Sequence, residues 1–252
     1  MFRGTEFPQY EYHADQYNHE LIRGVDIGQR PYNLTSEILL RLPSDGILLD
    51  IGCGSAVKIL PLAKNVGNII AVDKNPSIVS KAQQNVASSG FENIYVTIAD
   101  GNQLPFPDES VDMITYMLCP HNVHEALRLL KPNGYIIADR VGEQDKSEIK
   151  QYFTNEENKP RGYRSTLPSG EIGRIHKEEF GAAGFRKVIS RDMFWQTRYT
   201  KEGLWQLLKS TPTIEQFNPE TDKDIFEYAC SELIEFGKIT LTQHRVLVTA
   251  KK

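Results

Sequence analysis

Apolar positions alternate between two rhythms over the first half of the chain. Short, nearly continuous apolar runs at Ile47 to Ile51, Ile69 to Asp73, Ile94 to Ile98, Val111 to Tyr116 and Tyr135 to Asp139 have the length and β-branched content of buried strands. Segments with helical spacing separate them. Pro76 to Ser89 opens on a proline suited to the first helical position, and Val123 to Lys131 is ended by Pro132-Asn133-Gly134. Strands alternating with helices predict βαβ units and a parallel sheet with right-handed crossovers. Upstream, Ile38, Leu39, Leu40 and Leu42 predict an amphipathic helix from Thr35 that stops at Pro43. The rest of residues 1–42 is polar and rich in Tyr and His, so this stretch is expected to form an N-terminal helical cap.

The rhythm fades after residue 140. Residues 154–174 carry Pro160, Gly162, Pro168, Gly170 and Gly173 and read as a loop. Beyond them the pattern predicts a short helix at Lys177 to Ala183 and a strand at Val188 to Phe194. Two further helices are expected near Lys201–Ser210 and Asp222–Phe236, and a final strand at Gln243 to Thr249. The expected organisation is therefore a cap, 1–42, and one α/β domain, 43–252, with a helical lid inserted near 200–238.

Composition narrows the function classes. The chain has 252 residues, 40% of them apolar and 25% charged, enough for a core of normal size. A formal net charge of −4 gives no overall attraction to nucleic acid. Cys53, Cys119 and Cys230 fit neither a disulfide framework nor a zinc spacing, which points to a reducing, cytoplasmic setting. No apolar h-region opens the chain, and no run approaches the ~18 apolar residues of a membrane span.

The most informative stretch is Ile47-Leu48-Leu49-Asp50-Ile51-Gly52-Cys53-Gly54-Ser55-Ala56. A buried strand runs into a glycine turn, where bare backbone admits a ligand. A helix N-terminus there presents unpaired N–H groups to a polar or anionic group. Asp73 ends the next strand, close to the place, ~20 residues on, where dinucleotide-binding folds carry an acid for ribose hydroxyls. A dinucleotide fingerprint requires Gly or Ala at position 57, where this chain has Val57.

Four blocks in order instead resemble the class I S-adenosylmethionine-dependent methyltransferases, of the methyltransferase type 11-like kind. They are the acid-x-G-x-G turn at Asp50–Gly54, Asn75-Pro76-Ser77 after Asp73, Ala99-Asp100-Gly101-Asn102-Gln103-Leu104-Pro105-Phe106, and Leu129-Leu130-Lys131-Pro132-Asn133-Gly134. Phe180-Gly181-Ala182-Ala183-Gly184-Phe185 resembles a fifth. The chain departs from the last glycine pair of the fourth block at Asn133, a residue that tolerates left-handed backbone.

The resemblance implies a Rossmann-like seven-stranded, mostly parallel sheet with helices on both faces and an antiparallel last strand. It implies S-adenosyl-L-methionine as cofactor and S-adenosyl-L-homocysteine as product. Asp50, Gly52, Cys53 and Gly54 would then lie along the methionine part, Asp73 with its neighbour Lys74 would hold the ribose, and Asp100, Gly101 and Asn102 the adenine. Tyr116 and Met117 would line the sulfonium side. Tyr10, Tyr12, His13, Tyr17 and His19, with Arg30-Pro31-Tyr32, are candidates for a gate over the cofactor.

In such a fold the acceptor sits beyond the fourth and fifth strands. Asp139 and Arg140 are the candidates there to anchor it or accept a proton, with a surface ion pair as the alternative. His121 is a candidate general base. His121 and His124 share a helix face, but no third metal ligand is evident in the sequence. A small-molecule acceptor is the leading expectation and an RNA-modifying activity the alternative. One continuous basic groove along residues 146–191 would favour RNA; an enclosed aromatic pocket would favour a small molecule.

Overall fold

The structure, a computed structural model, describes Ile22 and residues 24–252. Its packing divides into two compact units. One contains, of the described residues, those up to 31 (Ile22 and 24–31) together with 142–171 and 193–245; the other contains 32–141, 172–192 and 246–252.

The second unit carries the alternating pattern. It begins with α1 (Leu34–Leu39), capped by the Asn33 side chain, which accepts from the Ser36 N–H. Strands β2 (Ile47–Ile51), β3 (Asn68–Asp73), β4 (Ile94–Ile98), β5 (Val111–Met117) and β6 (Leu130–Val141) follow. They pair in parallel as β4-β3-β2-β5-β6. The apolar runs of β2, β3, β5 and β6 are largely buried because crossover helices cover the sheet, whereas β4, at the edge, buries only Ile94. Helix α2 (Pro76–Ser89) shows why these residues form it. Asn75 caps the Ser77 and Ile78 N–H groups, Pro76 opens the first turn, Val79, Ala82 and Val86 form the buried stripe, and Gly90 closes it at φ 73°. Helices α3 (Val123–Leu129) and, further on, α5 (Glu171–Ala183) complete the unit.

The first unit holds β1 (Val25–Ile27), α4 (Ser147–Lys150), α6 (Lys201–Ser210), α7 (Lys223–Leu233) and β8 (Ile234–Glu235). Its apolar core joins Ile22, Ile149, Phe153, Leu204, Leu208, Ile214, Phe226 and Leu241. Asp145, Lys146 and Lys150 are buried beside that core. The Asp145 carboxylate accepts from Lys146, at 2.7 Å, and from Arg245 and the His244 N–H. Those two cations hold it well below the usual carboxylate range against the opposing effect of burial.

Two long strands, β7 (Arg186–Tyr199) and β9 (Lys238–Lys251), pass through both units. The full sheet is mixed and nine-stranded among the described residues, ordered β1-β7-β9-β6-β5-β2-β3-β4, with β8 paired to β9. Strand β9 runs antiparallel to β6: the Lys252 N–H donates to Gly134 at one end and the Gly142 N–H to His244 at the other. The expected seven strands are all present; the count rises by the short antiparallel pieces β1 and β8. Three- and two-residue strands carry no alternation for a sequence to show.

Several bounds differ from the sequence expectation. Strand β6 starts at Leu130 and ends at Val141, so Leu130 and Lys131, expected to finish a helix, are extended and Asp139-Arg140 lie inside the strand. Helix α5 starts at Glu171, inside the expected loop. In the 1–42 stretch the strand Val25–Ile27 and the short helix Leu34–Leu39 belong to different units. No described helix is long and apolar enough to cross a membrane.

Asn133 occupies left-handed backbone at φ 68° in the turn inside β6. Asn133→Ala is expected to lose about 1 kcal/mol of stability and Asn133→Gly to lose none. Urea unfolding of the two variants measures this.

Candidate functional site

The site lies in the second unit, at the carboxyl ends of β2, β3, β4, β5 and β6. The turn after β2 is built from close approaches. The Gly52 and Cys53 N–H groups both donate to the Val72 carbonyl, at 2.8 and 3.0 Å, tying the turn to β3. Gly52 has φ 71°, and a Cβ there would stand 2.7 Å from both Cβ and Sγ of Cys119. The Cys119 thiol in turn donates to the Ile51 carbonyl at 3.0 Å. Gly54 also has positive φ, 56°, but open space where its Cβ would be. The turn therefore leaves a bare concavity at Gly54 and a filled one at Gly52. Gly101 is similarly constrained, since a Cβ would meet Ile51 at 2.6 Å.

The three acids have distinct environments. Asp50 is buried and accepts from the Thr115 hydroxyl at 2.6 Å; desolvation pushes its carboxyl up to about 6. Asp73 is half-buried. Its Oδ2 accepts from the Gly54 N–H at 3.2 Å and its Oδ1 from the Asn75 N–H at 3.0 Å. Each oxygen keeps a second lone pair for a hydroxyl. Asp100 is exposed, and its Oδ1 accepts from both the backbone and side-chain nitrogens of Asn102 at 2.9 Å. Lys74 is exposed beside Asp73. These residues, with Cys53, are brought together at adjoining strand ends. Burial, with Asp50 and Asp73 nearby, pushes the Cys53 thiol far up, so it is no nucleophile at neutral pH. A glycine turn with open space, adjoining an acid with spare acceptor capacity, fits an adenosine-bearing cofactor.

Tyr116 and Asp139-Arg140 separate onto two faces. Neighbours on a strand point to opposite sides of the sheet, and the register pairs Tyr116 with Ala138 and Met117 with Asp139. Asp139 is buried and its Oδ2 accepts from the Tyr32 hydroxyl at 2.7 Å. Arg140 is buried as well, donates to the Cys119 carbonyl and stands 6.0 Å from the Tyr116 ring centre. The alternative of a surface ion pair is thereby excluded. Tyr116 is fully buried, its hydroxyl 3.4 Å from the Asn122 carbonyl, and burial raises its pKa.

His121 is drawn away from solvent. Its Nε2 meets Glu179 Oε2 at 3.0 Å, and the same oxygen meets His176 Nδ1 at 3.0 Å. Burial, with Arg140 nearby, pushes His121 down to about 4, so the imidazole is neutral at physiological pH. Hydrogen bonds from both histidines outweigh burial and hold the Glu179 carboxyl below its usual range. His124 is exposed. Arg30 belongs to the first unit, where it pairs with Asp26 and lies over Trp195. Tyr17, with Tyr10, Tyr12, His13 and His19, lies outside the described residues.

The sequence reading did not single out Cys119, His176 or Glu179. Cys119 follows the fourth strand of the repeating pattern without a motif of its own. His176 and Glu179 have i, i+3 spacing, but the helix was expected to begin at Lys177, so the pair straddled its boundary, whereas the helix in fact starts at Glu171.

Comparison with known proteins gives a consistent picture. The family described as "Methyltransferase domain" matches residues 43–203. The ubiquinone/menaquinone biosynthesis C-methyltransferase of Rickettsia akari is 30% identical over 132 residues, covering 46% of this chain and 53% of that protein. The arsenite methyltransferase of Halobacterium salinarum is 31% identical over 201 residues, 76% of this chain and 46% of that protein. The chain thus spans about half the length of the curated relatives it matches. Among solved structures, the YcgJ protein of Bacillus subtilis superposes with a TM-score of 0.59 at 20% identity, covering 86% of this chain and 97% of that one. Phosphoethanolamine N-methyltransferase 2 of Haemonchus contortus gives 0.58 at 18% identity, over 97% and 59%. At such identities the two structures speak to the fold.

Two measurements check this site. Gly52→Ala is expected to destabilise the protein by about 1–3 kcal/mol more than Gly54→Ala, because it adds a collision with Cys119 to the same backbone strain. Equal losses in denaturant unfolding would show that the turn yields. Asp50 has a folded-state pKa above its unfolded value, so it contributes stability that is present below pH ~4 and lost as pH rises through about 6. Asp50→Asn removes that loss. Its stability relative to the parent should improve by about 2–3 kcal/mol between pH 4 and pH 8, read from urea unfolding at both.

Proposed function

Since the chain belongs to the methyltransferase-domain family, as a class I S-adenosylmethionine-dependent methyltransferase, we propose that it transfers a methyl group to an N, O or C atom of a small-molecule acceptor. The observation that carries the small-molecule reading is the fate of the basic residues between 146 and 191. Lys146 and Lys150 are buried, the latter donating to the Tyr163 carbonyl at 2.8 Å. Arg161 pairs with Asp222, Lys159 with Glu157, Arg174 with Glu178 and Arg191 with Glu37. Six of the ten Lys and Arg residues in that stretch are thus buried or paired with acids, which weakens the case for a phosphate-binding groove. The relatives named for quinone biosynthesis and for arsenite support the same direction.

In this reading the backbone from Gly52 to Gly54 carries the methionine part, Asp73 takes both ribose hydroxyls on its spare lone pairs, and Asp100 with Asn102 faces the adenine. The cofactor supplies an already activated methyl group on a sulfonium. The chain's task is to hold the acceptor in line and to keep water out. Asp139, oriented by the Tyr32 hydroxyl, anchors the acceptor or receives its proton. Arg140 points to the other face and serves as a positioning residue, fixing the Cys119 carbonyl and through Cys119 the glycine turn. The neutral, buried His121 is held by Glu179 and is not assigned the base. With this proposal go the division into a cap, 1–42, and a domain, 43–252, with its insertion near 200–238, and a reducing, cytoplasmic setting suited to three unpaired cysteines.

Calorimetry is expected to show micromolar binding of S-adenosylmethionine or its demethylated product and no binding of NAD; the reverse would overturn the proposal. Asp73→Ala should weaken cofactor binding at least about 100-fold, from two lost charge-assisted hydrogen bonds. Asp139→Asn should lower turnover while leaving cofactor affinity unchanged. With a labelled methyl donor, label should enter the small-molecule fraction of a cell extract; label in RNA instead would refute the acceptor class.

A further inference from the structure

Three side chains from two segments more than fifty residues apart in sequence converge in the second unit. His176 and Glu179 lie one helical turn apart on α5, on one face, and His121 reaches them from the loop between β5 and α3. One ligating atom from each lies within 4.8 Å of those of the other two. Both histidine side chains are 2% exposed, while Glu179 is 33% exposed. The second nitrogen of His121, Nδ1, is buried and has no hydrogen-bond partner. It points away from Glu179, so the atoms available to a shared ion are His121 Nε2, His176 Nδ1 and the Glu179 carboxylate. The Phe180 ring stands 5.6 Å and the Tyr116 ring 5.9 Å from the His121 ring, so aromatic walls enclose the group.

We propose that His121, His176 and Glu179 form a site for one divalent transition-metal ion, zinc by its chemistry. Two imidazoles and one carboxylate suit zinc, whereas an oxygen-rich set would suit magnesium or calcium. The aromatic walls leave room for few additional ligands, which favours four-coordination over six. Glu179 is the partly exposed member, so water reaches the group from its side. Without the ion, a single carboxylate oxygen serves both histidines at 3.0 Å. With it, the three ligands share a positive centre and the His121 ring gains a reason to be buried. The role that follows is positional. The loop from Leu118 to Asn122 carries Cys119, which packs on Gly52, and the ion clamps this loop to α5. The proposal does not depend on the acceptor or on methyl transfer.

The test uses the full chain, stripped with a chelator and titrated with zinc. About one ion per chain by elemental analysis is expected, together with a rise in the thermal unfolding midpoint on adding zinc. Glu179→Gln and His176→Ala should each weaken zinc binding by at least about 100-fold and abolish the rise. His124→Ala should behave like the parent. Cobalt gives a readout that does not depend on a variant folding: the unaltered chain should show the visible band of a four-coordinate site without thiolate charge transfer. Thiolate charge transfer would place the ion on cysteines and overturn the proposal. So would the absence of bound metal, or parental zinc affinity in both ligand variants.

Discussion

The space at Gly52 where any other residue would carry its side chain belongs to Cys119. Most of the site's order depends on that occupancy. It joins the turn after β2 to the loop after β5. Arg140, on β6, holds the same loop by its Cys119 carbonyl, and Val72, on β3, receives both N–H groups of the turn. Four strand ends, those of β2, β3, β5 and β6, are thus fixed to one another. Positioning to fractions of an ångström is what an in-line transfer demands. The buried Asp50 beneath the turn shows the cost: its charge is desolvated, and one hydroxyl, from Thr115, satisfies it.

The rhythm of apolar runs made the core sheet legible because the central runs, β2, β3, β5 and β6, are largely buried, and the edge run β4 keeps the same β-branched content. Legibility failed where the backbone pairs without burying side chains. Strand β7 opens on Arg186 and Lys187 and is largely exposed, so its pattern names only its middle. The turn chemistry was legible in the same way, since Gly52, Asp73 and Asn133 act through backbone conformation and short-range hydrogen bonds. Long-range partners were not. Nothing in Tyr32 announces Asp139, and His121 gave only a neighbour at His124, which faces solvent, while its partners come from a helix more than fifty residues on. Spacing reveals ligands that share an element; a third ligand from elsewhere needs the fold.

The two units bury charge by different means. In the first, Asp145 is surrounded by Lys146, Arg245 and a backbone donor, so each ion has a partner. Lys150, deprived of water, is pushed down to about 8 and finds a carbonyl. Removing one member of such a group leaves the others charged and dry, which costs more than the group contributes. In the second unit, Arg140 instead places its guanidinium by an aromatic ring and a backbone carbonyl. Both arrangements fix one geometry, and both make these positions poor places to truncate a side chain.

Strand β9 comes last in chain order yet lies between β6 and β7 in the sheet. During synthesis, the other strands of the second unit exist with a gap in their ladder until residues 246–251 emerge. Until then β6 exposes an unpaired edge, with free N–H and C=O groups that any extended chain is able to join. A nascent chain stalled short of β9 therefore presents β6 as a template for aggregation.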